Sequence, residues 1–395
     1  MQISFIHNEK KINTGANYIN DLVSKKLKEK GVEVKHFYPR ARLDDIPTHL
    51  AGIKNILFFY SLLEKRGEVL KSDIIQGTTY TPLAFLAFHR PVICHFGSTT
   101  HGFLNSTPIT KNIGKDLRQF WIRLFKRGII EEYNLKSRKP MRDIAEIEAH
   151  IARKAAAVIA VSNNVRKELL SLDVPQENIF VVHNAIEDFW FKDQPDAHNK
   201  PSIVYLGRLG SHIFDFKLKG LDILASVYNA FPSVRKTSIV MTTHKKIFEW
   251  FKNSFPNHTA FSNLPKERIK KEIGVLRGSV FLLTSRYEGF SLSLIEGMSQ
   301  GLVPVAFPVG VVPEIIENGK NGFIVKTHKE MIQATGKLLN NRVLRNYCSR
   351  QAKKTALNFT AEKMVKNLLP VYSAICKTNG CSDKKRKKDF SWMWR

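Results

Sequence analysis

Glu288 and Glu296 are separated by seven residues, and the chain between them reads as a seat for an anion. An apolar run at 280–284 has β character and ends in a polar turn, 285–289. Ser291 occupies the N-cap position of a short helical pattern at 292–300, and Gly301 is placed to end that helix in a left-handed cap. A second apolar run, 303–307, follows at once. Strand, turn, helix and strand make the repeating unit of a parallel α/β sheet, and ligands of such sheets sit beyond the carboxyl ends of the strands. The first turn of the helix leaves N–H groups unpaired, and its dipole favours negative charge. Phe290, Ser291, Leu292 and Ser293 therefore form a bend suited to a phosphate or diphosphate, with the amides of Leu292, Ser293 and Leu294 as donors. A carboxylate beside such a seat serves hydroxyl groups, because it accepts paired hydrogen bonds from a sugar or ribose diol. Read as a bare pair, the two glutamates are more often solvated turn and helix residues.

Further back, other candidates lie at strand ends. A strand at 202–206 leads into Arg208, and Lys219 follows across a loop. Two such cations make a diphosphate clamp, the guanidinium as a planar fork and the ammonium as a point charge, with Lys217 competing for the second place. The strand 91–95 leads into a loop that sets His95 at its end and His101 beyond it. Either imidazole could hydrogen-bond a sugar hydroxyl or orient the reacting centre. The chain opens with a buried strand at 2–7, a polar loop at 8–17 and an amphipathic helix at 18–30, with a strand at 32–38, which is a βαβ start. No Gly-x-Gly-x-x-Gly fingerprint accompanies it, so a dinucleotide cofactor is not supported. Gly15 either lets the loop backbone approach a ligand or makes a simple turn. Helices are expected at 62–70 and 141–157.

The ordered run Glu288-Gly-Phe through Glu296, Gly301-Leu-Val-Pro-Val, Pro313-Glu314-Ile-Ile, Asn318-Gly319 and Asn321-Gly322-Phe323 resembles the donor-binding signature of the family-4 glycosyltransferases. Val311 departs from it, since the family often has a second glycine after Gly310. The run from 158 to 187, ending His183-Asn184-Ala185-Ile186-Glu187, resembles the end of that family's N-terminal domain. The resemblance implies an α/β protein of the GT-B fold, with two Rossmann-like domains facing a central cleft and a C-terminal helix crossing back onto the first. Domains are then expected at 1–190 and 200–360, with a crossing helix at 361–376. The resemblance also implies a retaining transferase that takes a nucleotide-sugar co-substrate and needs no other cofactor. On that reading Glu296 takes the ribose, Glu288 the donor sugar, and Arg208 and Lys219 the diphosphate. A histidine beside the sugar is His95 or His101, with His101 preferred, and Gly15 faces the acceptor and the diphosphate. Asn263 stands where the family has glycine near the base, so the base is not assigned. No Asp-x-Asp motif occurs, and the cations and helix N–H groups are expected to replace a metal.

The chain has 395 residues, enough for two domains, and a globular composition with 43% hydrophobic and 25% charged residues. It carries 62 basic against 35 acidic residues, a net charge of +27. Such a field favours polyanions, whether nucleic acid, anionic lipid or phosphorylated substrates, and says nothing of fold; of these, nucleic acid is the least expected partner. The four cysteines lack metal-ligand spacing, which suits a reducing, cytoplasmic setting. The N-terminus lacks a signal-peptide core, and no apolar run reaches the ~18–20 residues of a membrane span. Two basic segments suit a peripheral place on anionic membrane. The stretch 111–127 sets six Lys or Arg against one Asp and gathers Ile113, Leu117, Phe120, Trp121 and Leu124 on one stripe. The tail, 377–395, interleaves basic residues with Phe390, Trp392 and Trp394. The stripe of 111–127 serves equally to pack a helix on a core. The family resemblance, together with this basic surface, implies a saccharide or lipid-linked acceptor in cell-surface polysaccharide or lipopolysaccharide synthesis. The rival reading is a basic GT-B-like protein without catalysis that binds anionic membrane or nucleic acid.

Overall fold

The computed structural model describes residues 1–8, 15–40, 51–134, 139–192, 201–210 and 212–379. Most of the expected loop after the first strand (9–14), most of the expected linker (193–200), and the basic aromatic tail from 380 with Cys381 lie outside the described residues.

Twelve strands among the described residues form two parallel sheets of six. The first holds β1 (Gln2–Ile6), β2 (Glu33–Phe37), β3 (Ile74–Thr78), β4 (Val92–Phe96), β5 (Ala157–Ala160) and β6 (Ile179–Val181), in the order β2-β1-β3-β4-β5-β6. The second holds β7 (Ile203–Gly210), β8 (Lys236–Thr242), β9 (His258–Ser262), β10 (Val280–Leu283), β11 (Val303–Ala306) and β12 (Phe323–Ile324), in the order β12-β11-β10-β7-β8-β9. Helices cover both faces, so central strands such as β5 and β10 are buried at every position and read as unbroken apolar runs. In the second sheet the chain steps outward from β7 through β8 and β9, then returns to the other side of β7 with β10. The reversal opens a crevice between the carboxyl ends of β7 and β10, where a parallel sheet takes its ligand.

The chain returns to its start. Ile186 N–H donates to the Phe359 carbonyl at 3.0 Å, and the helix Ala361–Thr378 then lies on the first sheet. Its Met364, Leu368 and Tyr372 join one core with Ile3, Phe5, Ile93 and Ile159, and the Tyr372 hydroxyl donates to Gln76 at 2.8 Å. The two-domain GT-B arrangement with its crossing helix is present.

The basic segment 111–127 has a different role from the one that lipid would give it. Its helix, Lys115–Lys126, buries Phe120, Trp121 and Leu124, and it does so on the second unit, in one cluster with Phe216, Leu221, Tyr228 and Phe251. Lys217, fully covered, reaches across to the Thr110 hydroxyl at 2.6 Å and the Pro108 carbonyl at 3.3 Å. The stripe is therefore already paired with protein and is not free to enter a bilayer.

Three local expectations shift. The first helix spans Gly15–Glu29, so Gly15 opens the helix instead of lying in a loop. The expected 62–70 helix is two pieces: Ala51–Leu63, whose Phe58 and Leu62 are buried, and the short turn Arg66–Val69. Ser291 does not cap with its side chain. It sits in the left-handed region (φ 86°, ψ 82°), and the bend is fixed by Val311 N–H donating to the Phe290 carbonyl at 3.2 Å. No described helix is long and apolar enough to cross a membrane.

Candidate active site

The crevice between β7 and β10 gathers most of the sequence candidates. On the β10 side the turn 285–289 is held by the helix Leu221–Ala230 and the residues just before it. Arg286 makes a two-pronged pair with buried Asp222 at 2.8 and 2.6 Å and donates to the Lys217 carbonyl at 2.7 Å. Thr284 Oγ1 donates to the Lys219 carbonyl at 2.8 Å. Gly220 passes so close that a Cβ there would meet the Thr284 carbonyl at 2.1 Å, and its φ of +66° is itself left-handed. These contacts bring Lys219 over the turn, where its ammonium meets Glu288 Oε1 at 2.6 Å. Ser285 Oγ donates to the same oxygen at 2.6 Å. Lys219 thus reaches the turn, whereas Lys217, its competitor in the sequence reading, is buried in the contact with Thr110.

Arg208 lies at the other lip, in the irregular end of β7, where the register with β8 shifts between Arg208 and Gly210. Its side chain is exposed. Beyond the turn the helix Leu292–Ser299 begins, and the N–H groups of its first turn, Leu292, Ser293 and Leu294, have no intrahelical acceptor. Ser291 and Ser293 turn their hydroxyls toward each other at 3.5 Å. Phe290 is a packing residue by side chain, against His183 and Phe359, and lends the bend its backbone. Gly310 closes the bend, its missing Cβ within 2.7 Å of the Phe290 carbonyl and 3.1 Å of the Glu288 side chain.

Glu296 sits deeper. Burial lifts its carboxyl from an ordinary 4.5 to about 7, opposed by Lys266, whose ammonium is 3.7 Å from Oε1. Glu187, 3.1 Å from the same ammonium, adds a second negative charge. Lys266 and Glu187 were not singled out from sequence. Glu187 stood at the end of a recognisable run, but Lys266 had no signal besides its place after Pro265.

The first unit supplies the opposite wall, and it is in contact. A Cβ on Gly289 would lie 1.8 Å from the Gly97 carbonyl, and Ser162 Oγ donates to the Gly289 carbonyl at 2.6 Å. Thr99 N–H donates to the Tyr287 hydroxyl at 3.0 Å, and that hydroxyl donates to Glu168 at 2.8 Å. Asn163 and His183 hold Glu314 at 2.7 and 2.9 Å. The two histidines part company here. His95, on the strand face that Ile93 turns to the crossing-helix core, is buried, and burial lowers its pKa to about 4. His101 is half-buried on the helix Thr100–Ser106, bonded to Asn105 at 2.7 Å and close enough to Glu168 to bias its charge.

A crevice with an anion-ready helix start, a cation locked to a carboxylate and a second, buried carboxylate can hold a diphosphate joined to a polyol. Residues 15–188 match the family model described as Glycosyltransferase Family 4, and residues 187–355 match the one described as Glycosyl transferases group 1. The chain belongs to the family-4 glycosyltransferases.

Its similarity to individual members of the family is distant. The transferase is 26% identical to an uncharacterised glycosyltransferase of Methanocaldococcus jannaschii, over 57% of this chain and 60% of the relative. It is 25% identical to a subunit of phosphatidylinositol N-acetylglucosaminyltransferase from Saccharomyces cerevisiae, over 58% of this chain and 52% of the relative. The match thus spans a little over half the length of these relatives. Among solved structures, Anabaena HepE in complex with UDP and glucose superposes with a TM-score of 0.64 at 16% identity, covering 95% of this chain and 100% of the other. That likeness concerns the GT-B fold.

Proposed function

We propose that this transferase is a retaining, metal-independent enzyme that moves a sugar from a nucleotide-sugar donor to a hydroxyl of a saccharide or lipid-linked acceptor. We place it in the synthesis of a cell-surface polysaccharide or lipopolysaccharide, at the cytoplasmic face of a membrane. The observation that carries the reading is the Lys219–Glu288 pair, 2.6 Å apart at the β7/β10 reversal and beside the start of the helix Leu292–Ser299.

The donor diphosphate replaces Glu288 as the partner of Lys219, with Arg208 on its other side. Glu288, released, accepts hydrogen bonds from the donor sugar, and Glu296 accepts them from the ribose diol. The first-turn N–H groups and the two cations stabilise the charge that grows on the departing diphosphate. The acceptor hydroxyl enters from the first unit, on the His101 side, and attacks on the face from which the diphosphate leaves. One glycosidic carbon–oxygen bond breaks as the new one forms, and the departing phosphate oxygen takes the acceptor proton. The net charge of +27 supports an anionic acceptor or an anionic surface around it. The yeast relative's name, a transfer to phosphatidylinositol, and the UDP and glucose held by the Anabaena protein support these classes of acceptor and donor.

A panel of nucleotide sugars and their nucleoside diphosphates, read by thermal unfolding, tests the reading. A cognate donor at a hundredfold excess over its Kd stabilises by about 2.7 kcal/mol. Glu296→Ala should remove most of that shift. No stabilisation by any member would instead favour a non-catalytic protein, and an unchanged shift in Glu296→Ala would remove its ribose role.

A further inference from the structure

Lys266 is the first residue of the helix Lys266–Gly274, in the second unit. Its ammonium is 3.7 Å from Glu296 and 3.1 Å from Glu187, and lies over the ring of Tyr18. Tyr18 belongs to the first helix of the first unit, and its hydroxyl accepts the Glu187 N–H at 3.0 Å. Three side chains from three other segments thus meet at the carboxylate assigned to the ribose. The cation is itself two-thirds covered, with 32% of its side chain exposed. Such a cation is hard to explain as a surface residue, since desolvating it gains nothing unless the charge has work to do on its neighbours.

We infer that Lys266 is a positioning residue for the donor: it biases the Glu296 carboxyl toward its ionised form and orients it to receive the ribose diol, and it rests that arrangement on the first unit through Tyr18 and Glu187. The inference rests on the ribose role of Glu296. A protonated Glu296 turns one oxygen into a donor and leaves a single neutral acceptor oxygen, whereas the ionised form offers two charged acceptor oxygens, one for each hydroxyl of a diol. Three ionisable groups face that carboxylate: Lys266, Glu187 and Tyr18. Only the first favours its charge, while Glu187 and the covered setting oppose it. The cation therefore decides whether the seat is an acceptor near neutral pH.

The discriminating probe is a pair of ligands: the nucleoside diphosphate that most stabilises the wild type in the panel, and its 2′,3′-dideoxy analogue. Wild type should prefer the ribose form by roughly 10- to 100-fold, the worth of hydrogen bonds to a charged group. In Lys266→Met the preference should fall below about threefold, and the pH at which ribose-form affinity is half-maximal should rise by more than one unit. Lys266→Arg should restore both. If wild type fails to distinguish the two ligands, the ribose role of Glu296 falls. If wild type distinguishes them and Lys266→Met does so equally, the inference about Lys266 falls alone. Should Lys266→Met not fold, Lys266→Gln, which keeps the polar end and drops the charge, carries the same comparison.

Discussion

Lys219 shows how one side chain can be ready for a ligand and stable without it. Between ligands the ammonium has a carboxylate partner at 2.6 Å, so no unpaired charge waits in the crevice. A diphosphate offers more charge than Glu288 and can take the ammonium from it, while Ser285 keeps Glu288 satisfied. Lys219→Met should therefore weaken nucleoside diphosphate binding roughly 10- to 100-fold, by calorimetry, with the unliganded protein still folded. Affinity equal to wild type would move the clamp to Arg208. The sequence placed a cation here but could not choose between Lys217 and Lys219. The two are chemically alike and two positions apart, and only the packing of Lys217 under Thr110 separates them. The histidines pose a similar problem: His95 lies at the end of a strand and His101 just beyond it, and burial of the first is what distinguishes them. Lys266 was invisible for a related reason. Its meaning comes from Glu187, Glu296 and Tyr18, which the chain brings together only when folded.

Elements were legible where their burial was simple. Strands covered on both faces, such as β10 and β11, appear as short apolar runs between turn residues, and Gly301 (φ +75°) ends its helix as its place suggested. The helix Ala51–Leu63 was harder, because apolar residues lie nearly all round it and no period stands out. A serine before a helix suggests a cap, but the Ser291 backbone follows the demand of the bend with Gly310 instead. One element also stores a pH dependence that no motif announces. The helix Lys139–Lys154 places Glu148 under the start of the helix Thr100–Ser106, where it accepts from the Thr100 N–H at 2.7 Å and hydroxyl at 2.9 Å. Burial still raises its carboxyl from 4.5 to about 7. The folded chain then keeps a proton that the unfolded chain has released. This contribution is complete below about pH 4.5 and is lost as the pH rises through about 7, an effect of roughly 3 kcal/mol for a shift of this size. Glu148→Gln can keep the Thr100 N–H bond on its amide oxygen and donate from its NH2 to the Thr100 hydroxyl, without a titrating group. Its melting temperature should fall less than that of wild type between pH 5 and pH 8; an identical fall would mean that Glu148 ionises normally. Glu296, raised in the same way, supplies a slope that remains.

At the scale of the whole molecule, the two sheets meet through backbone as well as side chains. Amphipathic patterning over 111–127 shows that a face is covered, yet it cannot say by what, and the cover is the other unit. The crevice has the same property: Gly289 was part of a donor motif, but its reason is partly the approach of Gly97 from across the cleft. A methyl at 289 would stand 1.8 Å from the Gly97 carbonyl and 2.8 Å from the Ser98 Cα, backbone atoms that no rotamer can move aside. Gly289→Ala must therefore hold the units apart there, breaking the Ser162–Gly289 bond and loosening Tyr287 from Thr99. The groups assigned to the diphosphate and ribose lie mostly in the second unit, whereas His101 and the side proposed for the acceptor lie in the first. Nucleoside diphosphate affinity should change by less than about fivefold, while kcat/KM for transfer falls by more than ~100-fold, because separated walls lose the alignment on which an oriented reaction depends. Small-angle scattering should report a larger radius of gyration for the variant. Retained transfer with an unchanged radius would show that the contact at Gly97 is dispensable and that the units close by some other surface.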